Sequence, residues 1–324
     1  MQCLSHTIAL ISKTTTLLLE DSASALNNNK LRSYNAFQVR RTSQGSHDSM
    51  TYCLDMNSPI VPSEPSILYY LDYLLPYLTR PEIYKWCTTQ DFDVSQQLEA
   101  GIRYLDLRIA HKPKDSAEHL YFTHGIYTSI TVQEGLTDIR TWLETHPKEV
   151  VILGCKNFEG MDKRKHRQLI MMMKNKFRSK ICPQTSVEFI TLRNLWASGF
   201  QVIISYEDAI AAEYRELWPS IPYWWANTYN PEQLIQFLDS HKQAGRPDGF
   251  FVAGINLTEN VWYILTHLSS SLKSLTFSNY PLLTDWIEAQ MPGPGKSCVN
   301  IIAGDFIEAA YLVRTVVELN NKLL

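Results

Sequence analysis

Short runs of β-branched and aromatic residues alternate with amphipathic segments along most of this 324-residue chain. Such alternation is typical of a parallel sheet that is covered by helices. Seven runs are predicted to be strands, at residues 102–108, 120–124, 150–156, 201–206, 222–226, 249–255 and 299–305. Apolar spacing of three or four residues predicts helices at residues 68–78, 132–144, 162–177, 231–239, 258–272 and 307–319.

An eighth strand would close the sheet into a TIM-type (β/α)8 barrel, which is an α/β fold. The candidate is the weak run at residues 36–39, and the following stretch contains the pair Arg40 and Arg41, a poor composition for a central strand. The barrel could therefore be distorted or incompletely closed at its first strand. We expect residues 1–44 to form an atypical, weakly structured segment and residues 45–324 to form one barrel.

Composition excludes several classes of protein. Hydrophobic residues make up 45% of the chain and charged residues 19%, which is enough to build a globular core. The formal charge of −3 is too balanced for a surface that binds nucleic acid. The six cysteines show no Cys-x-x-Cys spacing, which favours a reducing compartment and a cytoplasmic location. No apolar run approaches the roughly 20 residues of a transmembrane helix.

Polar side chains follow the predicted strands where each strand ends. His47 and Asp48 lie just after the weak first strand. In the next strand, alternation sends Asp106 and Arg108 to one face, into the barrel. A buried structural ion pair explains those two residues at least as well as a catalytic role does.

Three more strand ends carry functional groups. His124 ends one strand, Lys156 ends another, and Asp305 ends the last, which would neighbour the first strand in a closed barrel. A lysine at the end of an apolar strand is costly without an anionic partner. Two imidazoles, fixed cations and carboxylates are the groups that cleave a phosphodiester by general acid–base catalysis.

Four segments in this order resemble the X domain of phosphatidylinositol-specific phospholipase C, in particular that of small eukaryotic proteins with no other module. They are residues 45–48, 101–108, 121–125 and 303–306. The resemblance implies that His47 is the general base and His124 the general acid. It further implies cleavage of phosphatidylinositol into diacylglycerol and a cyclic inositol phosphate, with the protein contacting the membrane peripherally.

The resemblance is closer to the bacterial, metal-free type than to the calcium-dependent type, because of Asp48, Arg108 and Lys156. It implies neither a metal ion nor a cofactor. A guanidinium held by Asp106 can supply the charge that Ca²⁺ would otherwise bring. By analogy, Asp48 would pair with His124 and Asp305 with His47, while Lys156 would bind the phosphate or the inositol hydroxyls.

Two aromatic residues at strand ends, Tyr206 and Trp225, are candidates for binding the apolar face of inositol, although filling of the barrel volume is the stronger reading of both. Two other functions remain open. A non-catalytic module could keep the fold to bind lipid or a partner. A metal-dependent phosphodiesterase could use His47, Asp48, Asp106 and His124 as ligands.

Overall fold

A curled parallel sheet lies at the centre of the computed structural model, which describes residues 42–323. Its eight strands run in the order β7-β6-β5-β2-β1-β10-β9-β8, and an antiparallel hairpin of β3 and β4 is joined to β2. The strands are β1 (Ser43–Ser46), β2 (Ile102–His111), β3 (Leu120–His124), β4 (Ile126–Thr131), β5 (Val151–Glu159), β6 (Val202–Tyr206), β7 (Leu217–Pro219), β8 (Tyr223–Trp224), β9 (Val252–Gly254) and β10 (Ile301–Gly304).

Helices cover the outside of the sheet. They are α1 (Ser66–Leu74), α2 (Pro76–Cys87), α3 (Val94–Ala100), α4 (Val132–Thr145), α5 (Lys163–Phe177), α6 (Leu192–Ser198), α7 (Pro231–Ala244), α8 (Val261–Thr266), α9 (Leu272–Glu288) and α10 (Ala310–Glu318). The single helix predicted at residues 258–272 is two helices, α8 and the start of α9. Within residues 42–323, no helix is both long and apolar enough to cross a bilayer.

Alternation along the strands divides the core into two layers. Leu105 and Leu107 face outward and pack with the helices, whereas Tyr104 faces the barrel interior. The Tyr104 ring fills the interior because its neighbours are glycines. A Cβ on Gly45 would lie 2.8 Å from Tyr104 Cδ1, and a Cβ on Gly154 would lie 2.5 Å from its hydroxyl oxygen.

The first strand is β1, with the sequence Ser-Gln-Gly-Ser, and it pairs in parallel with both β10 and β2. It begins at Ser43, two residues before the predicted domain boundary. The run at residues 36–39 lies outside the described residues. The α/β barrel is confirmed, but the sheet is not open at the first strand. Among the described residues, the gap lies between β7 and β8, the two ends of the strand order, which are not hydrogen-bonded to each other.

One predicted barrel strand has a different place in the fold. Leu120–His124 runs antiparallel to β2 and belongs to a hairpin outside the parallel path. The eighth parallel strand is Leu217–Pro219, which the sequence pattern did not predict. Its three residues are too few for alternation to stand out, and the second hairpin strand, Ile126–Thr131, was also missed.

Candidate active site

Strand register brings the predicted groups to the carboxyl end of the barrel. Gly45 lies opposite Ala303, so that His47 and Asp305 both stand two residues further on, facing inward. On the other side of β1, Arg108 lies directly opposite Lys156. Parallel strands present their carboxyl ends at one edge, so the fold collects these four side chains in one place.

His47 is held at both ring nitrogens. Its Nδ1 lies 2.7 Å from Asp305 Oδ1, and its Nε2 lies 2.7 Å from Arg108 Nη2. A guanidinium carries only N–H donors, so Nε2 must be the accepting, unprotonated nitrogen and the proton must be on Nδ1, which donates to Asp305. These contacts assign a neutral imidazole whose lone pair points at the Arg108 guanidinium.

The electrostatic surroundings also favour a neutral His47. Burial lowers the pKa of His47 well below its usual value, and the nearby charges of Arg108, His124 and Lys156 lower it further. Burial raises the pKa of Asp305 well above the usual range of a carboxyl. An imidazole that resists protonation and has an acceptor behind it has the properties of a general base.

His124 has the opposite arrangement. Its Nδ1 lies 2.7 Å from the Cys87 carbonyl oxygen, and its Nε2 lies 3.4 Å from Asp48 Oδ2. Both nitrogens therefore face oxygen acceptors, an environment that suits an imidazolium with two N–H groups. The two imidazole rings are 6.0 Å apart between centroids and nearly perpendicular, at 80°.

Asp48 lies between the two histidines and the guanidinium. Its Oδ1 is 2.7 Å from Arg108 Nε, and its Oδ2 is 3.4 Å from Nε2 of both His47 and His124. Its backbone adopts φ 42°, a left-handed conformation that aspartate tolerates better than most residues. Burial raises the pKa of Asp48. The predicted pairing of Asp48 with His124 is thus seen as a loose contact, shared with His47.

The predicted pairing of Arg108 with Asp106 is wrong. Asp106 Oδ2 lies 3.1 Å from Lys156 Nζ and 3.4 Å from the backbone nitrogen of Asp48, while Arg108 pairs with Asp48. The register explains the exchange. Asp106 stands one inward position deeper than Arg108 and Lys156, and the long lysine chain reaches back to it. Lys156 therefore has the anionic partner that its position requires.

Tyr223 is a member of this group that sequence reasoning missed. Lys156 Nζ lies 3.7 Å from the centroid of the Tyr223 ring, whose hydroxyl donates to Asn256 Oδ1 at 2.9 Å. The ring centroid is 6.2 Å from that of His47. Alternation around Trp224, which packs outward on Phe251, could have identified Tyr223 as the inward residue of β8.

The structure does not bring the two predicted aromatic residues into this group. Tyr206 is buried in the outer layer, and its hydroxyl pairs with His166 Nδ1 at 2.8 Å. Tyr206 lies two residues after Ile204 in β6, so both side chains point outward to the helices. Trp225 is half exposed, and its indole nitrogen donates to Thr258 Oγ1 at 2.8 Å.

The backbone that carries His47 is fixed by two buried polar residues. Gln90 Nε2 donates to the carbonyls of His47 and Gly304 at 2.8 and 3.0 Å, and so ties β1 to β10. Thr89 Oγ1 lies within 3.1 Å of the carbonyls of His47 and Asp48. No pattern in the sequence marks these two residues. Among residues 42–323, no three His, Cys, Asp or Glu side chains are grouped as possible ligands of one metal ion.

Comparison with known proteins finds relatives whose descriptions agree with one another. A family model described as "PI-PLC X 1" matches residues 84–242. The chain is 52% identical over 281 residues to PI-PLC X domain-containing protein 1 of Homo sapiens, covering 86% of both chains. It is 38% identical over 280 residues to PI-PLC X domain-containing protein 3 of Mus musculus, covering 85% of this chain and 86% of the relative.

Solved structures share the fold at lower identity. The phosphatidylinositol-specific phospholipase C from Listeria monocytogenes superposes with a TM-score of 0.61 at 18% identity, covering 89% of this chain and 97% of that one. A phosphatidylinositol-specific phospholipase C from S. aureus gives a TM-score of 0.59 at 14% identity, covering 87% and 93%. At these identities the likeness concerns the fold alone.

Proposed function

This chain belongs to the PI-PLC X domain family, and on that premise we propose that it is a phosphoric diester hydrolase of the phospholipase C type. The proposed substrate is phosphatidylinositol, and the products are diacylglycerol and a cyclic inositol phosphate. The proposed catalytic unit is the barrel of residues 45–324, with His47 as general base and His124 as general acid.

The observation that carries the proposal is the unequal surroundings of the two imidazoles. His47 Nε2 faces an N–H donor, which only an unprotonated nitrogen can accept, whereas both nitrogens of His124 face oxygen acceptors. Cleavage of a phosphodiester needs one group that takes a proton and one that gives a proton. A base and an acid of the same residue type can coexist only where their environments differ in this way.

The first chemical step follows from these positions. The inositol 2-hydroxyl takes the place of Arg108 at His47 Nε2 and gives its proton to that nitrogen as its oxygen attacks phosphorus. Arg108 turns to the phosphate oxygens, whose charge it neutralises. The bond from phosphorus to the diacylglycerol oxygen breaks, and His124 gives that oxygen a proton. A water molecule can then open the cyclic product with the roles of the two histidines reversed.

The remaining groups have supporting roles in this proposal. Asp305 accepts the Nδ1 proton of His47 and stabilises the imidazolium that forms. Asp48 orients Arg108. Lys156, which contacts Asp106 and the Tyr223 ring, is the residue to which we assign binding of the phosphate or the inositol hydroxyls. Trp225 stays a candidate contact for the inositol ring, and Tyr206 does not.

The substrate is a membrane lipid, so the proposed enzyme works at a membrane surface by peripheral contact. The cytoplasmic location predicted from the cysteines belongs to the same proposal. Neither feature is needed for the chemistry of the histidines, and each can be tested separately from turnover.

The test is incubation of the purified full chain with phosphatidylinositol vesicles, with and without EDTA, followed by phosphorus NMR. We expect the cyclic inositol phosphate to appear at the same rate in both samples. Activity that EDTA abolishes would favour the metal-dependent reading. Absence of turnover, together with inositol-lipid binding that His47→Ala leaves unchanged, would favour the non-catalytic binding module.

A further inference from the structure

A buried polar loop lies behind the two histidines of the candidate site. It consists of residues 88–90, which follow α2 and belong to neither a helix nor a strand, and we name it the inner loop. Thr89 and Gln90 are both 0% exposed. Connections normally run over the surface of a protein, because a buried polar group without a hydrogen bond is costly. The partners of these two residues therefore show what the inner loop holds in place.

Gln90 joins the ends of the two strands that precede the base and its acceptor. Its Nε2 donates to the carbonyls of His47 and Gly304, at 2.8 and 3.0 Å. Its Oε1 accepts from the backbone nitrogen of Ile307 at 3.3 Å. Both amide hydrogens and the amide oxygen are therefore used. One side chain connects the backbone of His47 to the backbone on both sides of Asp305.

Thr89 holds the residues that come directly after the base and its acceptor. Asp48 and Phe306 both have a left-handed backbone, with φ 42° and 46°. This conformation is strained, above all for an aromatic residue, and it persists where the surroundings fix it. Thr89 Oγ1 donates to the Asp48 carbonyl at 3.1 Å, and the Phe306 backbone nitrogen donates to the Thr89 carbonyl at 2.6 Å. The inner loop thus fixes the chain beside His47 and beside Asp305.

Tyr280 of helix α9 supports the acceptor from another direction. Its hydroxyl contacts the carbonyls of Asp305 and Phe306, and the distance to the Phe306 carbonyl is 3.0 Å. The backbone of Asp305 is therefore held by Tyr280 as well as by Gln90.

These contacts begin where the pairing of the two strands ends. Strand β1 pairs with β10 as far as Ser46 and Gly304, so that His47 and Asp305 are the first residues beyond the ladder. The last direct backbone bond runs from the His47 nitrogen to the Gly304 carbonyl at 3.0 Å. Beyond that bond, the side chain of Gln90 makes the next connection between the two strand ends.

We propose that Gln90 and Tyr280 are positioning residues for the base, because they fix the backbones that keep His47 Nδ1 2.7 Å from Asp305 Oδ1. Neither residue touches the reacting atoms. A small displacement of either backbone would lengthen this bond and turn the imidazole away from the attacking hydroxyl. The role of His47 as base rests on the proposed function, whereas the bond that the two residues control exists without turnover.

The test compares Gln90→Met with Gln201→Met in the full chain. Gln201 is a matched control, because it is 3% exposed and its Nε2 donates to the carbonyls of His146 and Glu149 at 2.8 and 3.0 Å. It lies just before β6, at the amino end of the barrel. Each substitution keeps the length of the side chain and leaves buried carbonyls without their donor. Both variants should therefore melt at a lower temperature than the parent chain.

The first measurement is the proton resonance of His47 Nδ1, which needs no substrate. A proton shared between an imidazole and a carboxylate in a short bond resonates far downfield, and the loss of the signal in His47→Ala assigns it. We expect Gln90→Met to move this resonance upfield or broaden it by exchange with water, and Gln201→Met to leave it unchanged. An unchanged resonance in Gln90→Met, or the same change in both variants, would overturn the proposal.

Tyr280→Phe is the milder variant, and it keeps the proposal testable if Gln90→Met does not fold. It removes only the hydroxyl behind Asp305. Its control is Tyr206→Phe, which removes a hydroxyl bonded to His166 outside the site. We expect the His47 resonance to move in Tyr280→Phe and to stay in place in Tyr206→Phe. A resonance that stays in place in both would show that Tyr280 does not position the base.

The second measurement is turnover of phosphatidylinositol. Gln90→Met should lower kcat about tenfold or more with little change in KM, and Gln201→Met less than about twofold, since a small misplacement of a reacting group can cost up to about 10² in rate. Equal losses of kcat, or a change confined to KM, would contradict the positioning role. Failure of the proposed function is recognised separately, because a chain without turnover still reports the His47 resonance.

Discussion

The two histidines of the candidate site lie in different structural surroundings. His47 follows a strand that is paired on both sides within the barrel, and its side chain is only 7% exposed. His124 ends a strand of a hairpin that lies outside the parallel sheet, and its side chain is 24% exposed. The buried ring has a carboxylate and a guanidinium as partners, and the exposed ring has a backbone carbonyl and a more distant carboxylate.

Under the proposed mechanism, this difference lets one barrel divide proton transfer between two residues of the same type. Burial keeps a base neutral, because the charged imidazolium is poorly solvated. An acid must stay charged until the leaving group departs, which is easier near solvent and beside acceptors. The hairpin adds a side chain, His124, that the eight parallel strands do not carry, and this side chain is more exposed than His47.

The largest expected effect comes from removing each imidazole. His47→Ala and His124→Ala should each lower kcat on phosphatidylinositol by about 10² to 10⁴, the range for a lost general acid or base. The two variants should separate on an inositol phosphodiester with an aryl leaving group of low pKa, which departs without a proton. On that substrate, the fold-decrease in kcat caused by His124→Ala should be at least about tenfold smaller than on the lipid, because no acid is needed.

The comparison of the two substrates is the informative measurement. His47→Ala should lose as much activity on the aryl ester as on the lipid, since the attacking hydroxyl is the same. Equal shrinkage of the loss in both variants would contradict the assignment of acid and base. Shrinkage in His47→Ala alone would reverse the two roles.

The next effect concerns the partner of the base. Asp305→Ala removes the acceptor of the His47 Nδ1 proton. We expect kcat to fall about 10- to 100-fold, which corresponds to the ~1.5–3 kcal/mol of a hydrogen bond to a charged group, with little change in KM. A rise in KM with unchanged kcat would instead assign Asp305 to substrate binding. His124 has no matching variant, because its acceptor at Nδ1 is a backbone carbonyl.

How much of this site the sequence predicts depends on the physical rule that each residue obeys. Alternation correctly placed Asp106 and Arg108 inside the barrel, because side-chain direction along a strand follows from geometry alone. It could not say which carboxylate pairs with Arg108. That choice depends on depth in the barrel, and depth is set by the register between strands that are distant in sequence.

The first strand shows a second limit. Ser-Gln-Gly-Ser has no apolar pattern, because the space in front of Gly45 is filled by the Tyr104 ring from the neighbouring strand. That Tyr104 fills this space can be recognised only from the three-dimensional structure. Strand β3, which ends at His124, shows the opposite case. Its composition is that of a barrel strand, but it pairs antiparallel with β4 because of the turn at Gly125, and the sequence pattern does not show this pairing.

A smaller effect should come from the backbone beside the acid. Gly125 has φ 70°, and a Cβ there would lie 2.4 Å from Cys87 Sγ. Gly125→Ala should displace Cys87, whose carbonyl holds His124, and so lower kcat several-fold on the lipid but not on the aryl ester. Cys87→Ala in the same chain removes the sulfur atom and should restore part of the loss.

Gly199→Ala is the matched control for backbone strain. Gly199 has nearly the same φ, 72°, at the end of α6, and a Cβ there would meet nothing within 4 Å. Gly199→Ala should lower stability by about 1 kcal/mol, the usual cost of alanine in a left-handed conformation, and Gly125→Ala should lower it by more, because its Cβ also meets Cys87 Sγ. Only Gly125→Ala should lower kcat; an equal loss in the control would show that strain alone, and not the displacement of Cys87, reduces activity.

The smallest effect is a shift in pH dependence. The pKa of His47 is lowered by burial and by the charges of Arg108, His124 and Lys156. A base with a lowered pKa keeps its lone pair at lower pH, so kcat/KM should stay on its plateau as the pH falls through about 6.5, the usual value for histidine, and decline only below it. Lys156→Met removes one cation and should move this acid limb upward, whereas Lys163→Met on the outer helix should not. An acid limb at or above pH 6.5 in the unmodified chain, or equal shifts in the two lysine variants, would remove the electrostatic basis for treating His47 as the base.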